Sequence, residues 1–282
     1  MDERAPKLDN SRQSTSGDSF GRRAVAGLSL TLGLVLLISL GGWFLLFAVD
    51  LIVGLGTYEM LSVLRSRGSR VNIPIGVLLS LGVSWGFFWG GERVLIPLLM
   101  VLMLGLLSYE LFSGSILTNV PSMLFAVLYV GLLGSSPLLI YRFPPEGFRT
   151  STTGLILIVF LAVWALDTVA YLVGRRYGRH KLWPRISPGK TVEGSVAGLI
   201  GALFVVSLCH FWGKLSVAEA VGIGLIVGVV GQVGDLVESL MKREAGVKDS
   251  SHLIPGHGGV LDRFDSAFFV FPAVYMYLKI WH

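Results

Sequence analysis

Four aspartates stand where carboxylates are costly or clustered. Asp167 and Asp235 each fall near the end of a long apolar run, and Asp262 and Asp265 follow Gly258–Gly259 at a spacing of three. On a helix, positions i and i+3 share a face, so Asp262 and Asp265 would point the same way. A carboxylate at membrane depth is expensive and is usually paired or functional. Carboxylates converging from separate segments make a hard-oxygen site suited to Mg²⁺, which typically takes one or two carboxylates plus substrate phosphates. Asp235 and Asp262 are the leading candidates for such a metal, followed by Asp249 and Asp265. The competing reading is salt bridging to Arg243 or Arg263.

Bases are interleaved with these acids. Lys242, Arg243 and Lys248 lie within one short stretch. Phosphoryl transfer is catalysed mainly by positioning and charge neutralisation, and such a cluster suits a polyphosphate. His252 and His257 flank Pro255, which breaks the helical spacing that a two-histidine zinc face needs. His257, set between Gly256 and Gly258, is instead expected to touch phosphate or to hold its loop. Gly189-Lys190-Thr191 invites a phosphate-loop reading, but Pro184 stands where that pattern requires glycine. Ser187 and Lys190 are better placed at the start of a helix, whose N-terminal amides favour anions.

The elements that must position these residues are apolar helices. The chain has 282 residues, 53% hydrophobic and 15% charged, against about 25% charged in soluble domains. Its long apolar runs, extended to their polar flanks, reach the roughly 20 residues that cross a bilayer as helix. About nine spans are expected, at 24–40, 43–64, 73–89, 94–111, 116–141, 154–173, 192–211, 217–237 and 266–280. The fifth carries Pro121 and Pro137, and a break is expected there. Asp50, Glu59 and Glu110 are expected to pair within the bundle or reach its interface. Gly194, Gly198 and Gly201, like Gly224, Gly228 and Gly231, recur at helical spacing, which suits close helix packing.

Net charge is +5. In a membrane protein this bias reports topology and anionic lipid, so nucleic acid is not an expected partner. Basic residues gather at 22–23, 65–70, 175–190 and 242–248. With nine spans these groups share one side, which is then the cytoplasmic side. Residues 1–20 read as a polar, disordered cytoplasmic tail, residues 21–150 as an N-terminal bundle, and residues 151–282 as the part that carries the chemistry. A cleavable signal peptide is not expected, because the first apolar run starts late and further spans follow. Cys209 is the single cysteine, so no intrachain disulfide can form.

Ser239-Leu-Met-Lys-Arg, then Lys248-Asp-Ser-Ser-His-Leu-Ile-Pro-Gly-His-Gly-Gly-Val-Leu-Asp-Arg-Phe-Asp265, resembles the signature of the phosphatidate cytidylyltransferase, or CDP-diacylglycerol synthase, family. Gly174-Arg-Arg-Tyr-Gly-Arg and Ile186-Ser-Pro-Gly-Lys-Thr-Val-Glu-Gly194 resemble the same family. The resemblance covers residues 154–282; the N-terminal half matches in hydropathy and length only. It implies a multi-pass inner (plasma) membrane enzyme facing the cytoplasm and expected to form a homodimer. Such an enzyme joins CTP and phosphatidic acid to give CDP-diacylglycerol and pyrophosphate, with Mg²⁺. It also implies that Asp235 and Asp262 hold the metal, that Ser239, Lys242, Arg243, Lys248 and Asp249 surround substrate phosphates, and that Ser187, Lys190 and Glu193 complete the pocket. Two other functions fit parts of the pattern. A CTP-dependent polyprenol-type lipid kinase would use similar loops, and a transporter would place function at acids such as Asp50.

Overall fold

A computed structural model describes residues 27, 29, 31–113, 116–143, 150–211, 215–251, 253 and 258–281. The tail at 1–20, the basic pair at 22–23, His252 and His257 lie outside these residues.

In hydrocarbon, an apolar run can satisfy its amides only within its own helix or a closed barrel. The chain takes the first course and is an all-α polytopic membrane protein. Its helices are α1 (Thr31–Leu40), α2 (Gly42–Ser66), α3 (Ile73–Gly90), α4 (Leu95–Ser113), α5 (Ile116–Ala126), α6 (Ser136–Arg142), α7 (Thr152–Tyr177), α8 (Val192–Phe211), α9 (Val217–Glu244) and α10 (Leu261–Trp281). Among the described residues, six helical runs are long and apolar enough to cross a membrane: Gly42–Ser66, Ile73–Phe112, Ile116–Arg142, Thr152–Tyr177, Val192–Phe211 and Val217–Glu244. The second run is a hairpin. Gly91, at φ 60°, opens a short 3₁₀ turn, and Asn72 at the start of α3 donates to the Tyr109 hydroxyl near the end of α4 at 2.9 Å. Asn72 also caps α3 through the amide of Ile75.

The proline-bearing fifth span stays helical through Pro121. It passes from α5 through a π-helical stretch, Val127–Leu132, and turns at Ser135 just ahead of Pro137. Pro137 cannot donate its own backbone hydrogen bond, so the turn falls where the ladder is already weakest.

Side-chain ties fix which helix ends lie together. Glu59, near the end of α2, accepts from the backbone of Leu261 at the start of α10. The end of α9 and the starts of α8 and α10 lie at this same face, so the basic groups at 65–70, 175–190 and 242–248 share one end. At the other end Tyr275 of α10 donates to Glu92 in the α3–α4 turn, and Lys279 pairs with Glu92.

The expected all-α reading gains one local feature. Lys181–Trp183 (β1) and Ser187–Thr191 (β2) form a two-stranded antiparallel hairpin between α7 and α8, pairing Lys181 with Thr191 and Trp183 with Ser187.

Candidate active site

Glycines bring α7, α8, α9 and α10 close enough to enclose a site. A Cβ on Gly194 would sit 2.6 Å from the Ala170 carbonyl oxygen and 3.1 Å from the Cα of Gly174. One on Gly198 would meet the Leu166 carbonyl at 2.8 Å, and one on Gly234 the Asp265 carbonyl at 2.7 Å. Backbones this close leave no room for any other residue. Gly224 and Gly228 pack on Leu203 and Leu199 of α8 in the same way.

The β-hairpin then folds over the helix ends. The Val192 amide donates to the His180 carbonyl at 2.9 Å, and Thr191 Oγ1 accepts from the Gly194 amide at 3.2 Å. Glu193 closes the base of the hairpin. It accepts from the Arg179 and His180 amides at 3.1 and 3.2 Å and meets His180 Nδ1 at 2.6 Å. Arg243 Nε donates to the Ile186 carbonyl at 3.3 Å, tying the end of α9 to the hairpin turn.

Between these parts lies a cavity of about 700 Å³. Its walls carry Asp167 and Arg175 from α7, Lys181, Ser187 and Lys190 from the hairpin, Gln232, Asp235 and Lys242 from α9, and Asp262, Arg263 and Asp265 from α10. Two ion pairs organise it. Lys190 Nζ lies 2.5 Å from Asp235 Oδ2, and Lys242 Nζ lies 2.5 Å from Asp262 Oδ1. Asp262 Oδ2 accepts three further hydrogen bonds, from the Ser250 amide at 2.9 Å, the Ser250 hydroxyl at 2.8 Å and the Gly259 amide at 2.8 Å. Asp265 is buried, and its Oδ1 accepts from the Ser266 amide.

Seven residues singled out from sequence thus line one cavity: Asp167, Ser187, Lys190, Asp235, Lys242, Asp262 and Asp265. Ser239 stands beside it, its hydroxyl 3.4 Å from Asp235 Oδ1. Glu193 and Arg243 hold the hairpin and do not line the cavity. Lys248 and Asp249 are exposed on the loop after α9. His257 lies outside the described residues.

Two contributors were not singled out, and a third was placed only within the bundle. Glu238, 2% exposed, pairs with Lys242 at 3.2 Å. Helical spacing could have found it, because Glu238 is three residues after Asp235 and four before Lys242. Gln232 sits on the same face of α9, three residues before Asp235, and donates to the Ser195 carbonyl at 3.1 Å. Glu59, expected from sequence to pair within the bundle or reach its interface, comes from the distant α2, and no local pattern tied it to the start of α10.

The carboxylate oxygens of Asp235 and Asp262 are chemically suited to a divalent cation. Among the described residues no three acidic, histidine or cysteine side chains are already gathered as a cage. Asp235 and Asp262 instead each carry a lysine ammonium as a stand-in cation. Hard carboxylate oxygens, with positions left for phosphate, are what Mg²⁺ prefers.

Fold and cavity define a membrane-embedded protein with a cavity lined by acids and bases at one end of its helices. The chain matches the cytidylyltransferase family over residues 21–281. A phosphatidate cytidylyltransferase of Synechocystis sp. (strain ATCC 27184 / PCC 6803 / Kazusa) is 34% identical over 293 residues, covering 91% of this chain and 94% of that relative. One of Staphylococcus aureus (strain COL) is 46% identical over 150 residues, 52% of this chain and 56% of the relative. One of Staphylococcus haemolyticus (strain JCSC1435) is 50% identical over 129 residues, 44% and 50%. The match thus spans about half the length of the staphylococcal relatives. The chain belongs to the cytidylyltransferase family.

Proposed function

We propose that this protein is a Mg²⁺-dependent phosphatidate cytidylyltransferase. In this reaction an oxygen of the phosphatidate phosphomonoester attacks the α-phosphorus of CTP. A new P–O bond forms, the bond to the bridging oxygen between the α- and β-phosphorus breaks, and pyrophosphate leaves with that electron pair. The observation that carries this reading is the polar cavity of about 700 Å³, in which Lys190 and Lys242 each face a carboxylate.

The chemistry needs charge control more than proton transfer. A phosphomonoester has its second pKa near about 6, so the nucleophile is already ionised at neutral pH. The difficulty is bringing two anions together. Lys190, Lys242, Arg175 and Arg263 would screen that repulsion and meet charge that builds on the phosphoryl oxygens. On binding, Lys190 and Lys242 would exchange an aspartate contact for phosphate. The carboxylates released in that exchange, Asp235 and Asp262, would hold the metal. Mg²⁺, when bound, supplies further neutralisation at the phosphate oxygens. The Glu193-braced hairpin would keep Lys190 and Ser187 over the cavity, and the glycine-packed helices would keep the site rigid.

The basic groups at one end support a cytoplasmic orientation of that end, in the inner membrane, by the positive-inside rule. CTP would enter from water and phosphatidate from the bilayer. A homodimer without nucleic-acid partners completes the reading. Purified protein in detergent, given CTP, phosphatidate and Mg²⁺, is expected to form CDP-diacylglycerol and pyrophosphate. Release of CDP without CDP-diacylglycerol would convert the reading to a lipid kinase. No nucleotide turnover at all would remove both.

A further inference from the structure

The geometry points to Glu59 of the N-terminal bundle as a positioning residue for the C-terminal site. Its side chain is fully buried. Oε1 accepts from the Ser251 hydroxyl at 2.5 Å and the Val260 amide at 2.9 Å. Oε2 accepts from the Ser250 hydroxyl at 3.1 Å and the Leu261 amide at 2.8 Å. Among the described residues neither lysine nor arginine pairs with it; every partner is a hydroxyl or a backbone N–H.

Two of these partners, the Val260 and Leu261 amides, sit at the start of α10, and the two hydroxyls come from the loop between α9 and α10. The first amides of a helix have no carbonyl within their own helix, and a carboxylate there also faces the positive end of the helix dipole. The usual cap is the residue just before the helix. Here the cap is supplied by α2, from the other end of the sequence. A carboxylate so deeply buried is tolerable because donors surround it: two amides, the Ser251 hydroxyl and a share of the single Ser250 proton, which Asp262 Oδ2 also draws on.

The consequence reaches the cavity through one hydroxyl. Ser250 Oγ contacts both Glu59 Oε2 and Asp262 Oδ2, at 3.1 and 2.8 Å. Glu59 therefore sets both the starting point of α10 and the seat of Asp262. The first turn of α10 also carries Arg263 and Asp265 into the cavity. Gly259 is kept clear for the same purpose, since a Cβ there would lie 2.5 and 2.7 Å from the two Glu59 oxygens. The N-terminal half thus enters the active site by holding the geometry of one of its walls.

The inference rests on the cytidylyltransferase reading for its kinetic consequence, but its structural part can be tested alone. Glu59→Gln removes one acceptor oxygen and sets an NH₂ group against backbone donors. In full-length protein in detergent, the Val260 and Leu261 amides are expected to exchange with deuterium about tenfold faster or more than in wild type, the loss of a cap. Per folded molecule, kcat is expected to fall about tenfold or more, with a higher Mg²⁺ concentration at half-maximal rate. Ser250→Ala, which keeps the buried charge and three of its four partners, is expected to shift the Mg²⁺ curve the same way by a smaller factor. It carries the test if the Gln variant fails to accumulate. Unchanged exchange in Glu59→Gln overturns the inference. So does faster exchange with kcat and Mg²⁺ dependence unchanged, because Glu59 would then serve stability alone. Should wild type prove inactive with CTP and phosphatidate, the functional reading falls, and the exchange comparison alone decides whether Glu59 holds α10.

Discussion

In the N-terminal half, the buried Glu59 and the half-buried Asp50 meet neutral donors. Glu59 binds two serine hydroxyls and two backbone amides, and Asp50 accepts from the Trp85 indole at 3.0 Å. In the C-terminal half, Asp235 and Asp262 meet Lys190 and Lys242. The partners differ in what they permit. An amide or indole is fixed by the fold and stays where it is. An ammonium on a four-carbon stem can leave its carboxylate for a phosphate. One half therefore uses its acids to hold shape, and the other keeps its acids and bases exchangeable around a cavity.

Substitutions that remove charge without changing size probe this contrast. The largest effect is expected from Asp262→Asn or Asp235→Asn. Each should reduce CDP-diacylglycerol formation by about 100-fold or more while the protein still inserts and folds. Near-normal turnover in either variant would remove that carboxylate from the reacting half. An intermediate effect is expected from Gly194→Ala, which forces a methyl group against the Ala170 carbonyl. Separation of α7 from α8 should cost about 1–3 kcal/mol, read as a lower melting temperature in detergent. Unchanged melting would mean that the glycine contact is not needed to hold the two helices together. The smallest effect is expected from Asp50→Asn. Neutralising a carboxylate remote from the cavity should leave turnover within about twofold of wild type. A collapse of activity there would break the contrast and favour function at mid-membrane acids, as in a transporter.

The cavity was legible in sequence to the extent that its residues contrast with their surroundings. Asp167, Asp235, Asp262 and Asp265 stand out because charges are rare in apolar runs, and Lys190 and Lys242 because they fall in the basic clusters at 175–190 and 242–248 beside them. Glu193 shows where that signal fails. A charged residue near the cavity by sequence is turned to the hairpin base, where three donors from Arg179 and His180 wait for it. Glu238 shows the opposite failure. It was not singled out from sequence, yet it is buried against Lys242. The hairpin itself lacks the alternating apolar pattern of a strand, because Ser-Pro-Gly-Lys-Thr is polar throughout. Its form comes from the closure imposed by Glu193 and Val192. In the fifth span, the two prolines suggested an interruption, but only packing decided that Pro121 would be absorbed and that the turn would fall at Ser135.

By itself the amino-acid order determined that the chain is a bundle of membrane helices, which ends carry positive charge, and which short stretches are too polar for lipid. Hydropathy and charge bias act over one helix length, so they can be read along the chain. The tertiary structure decided which acid meets which base, and that a glutamate on α2 caps α10. Hydrogen bonds and ion pairs act over about 3 Å and join residues from distant parts of the chain. Their partners exist only once the glycine-lined helices have closed on one another.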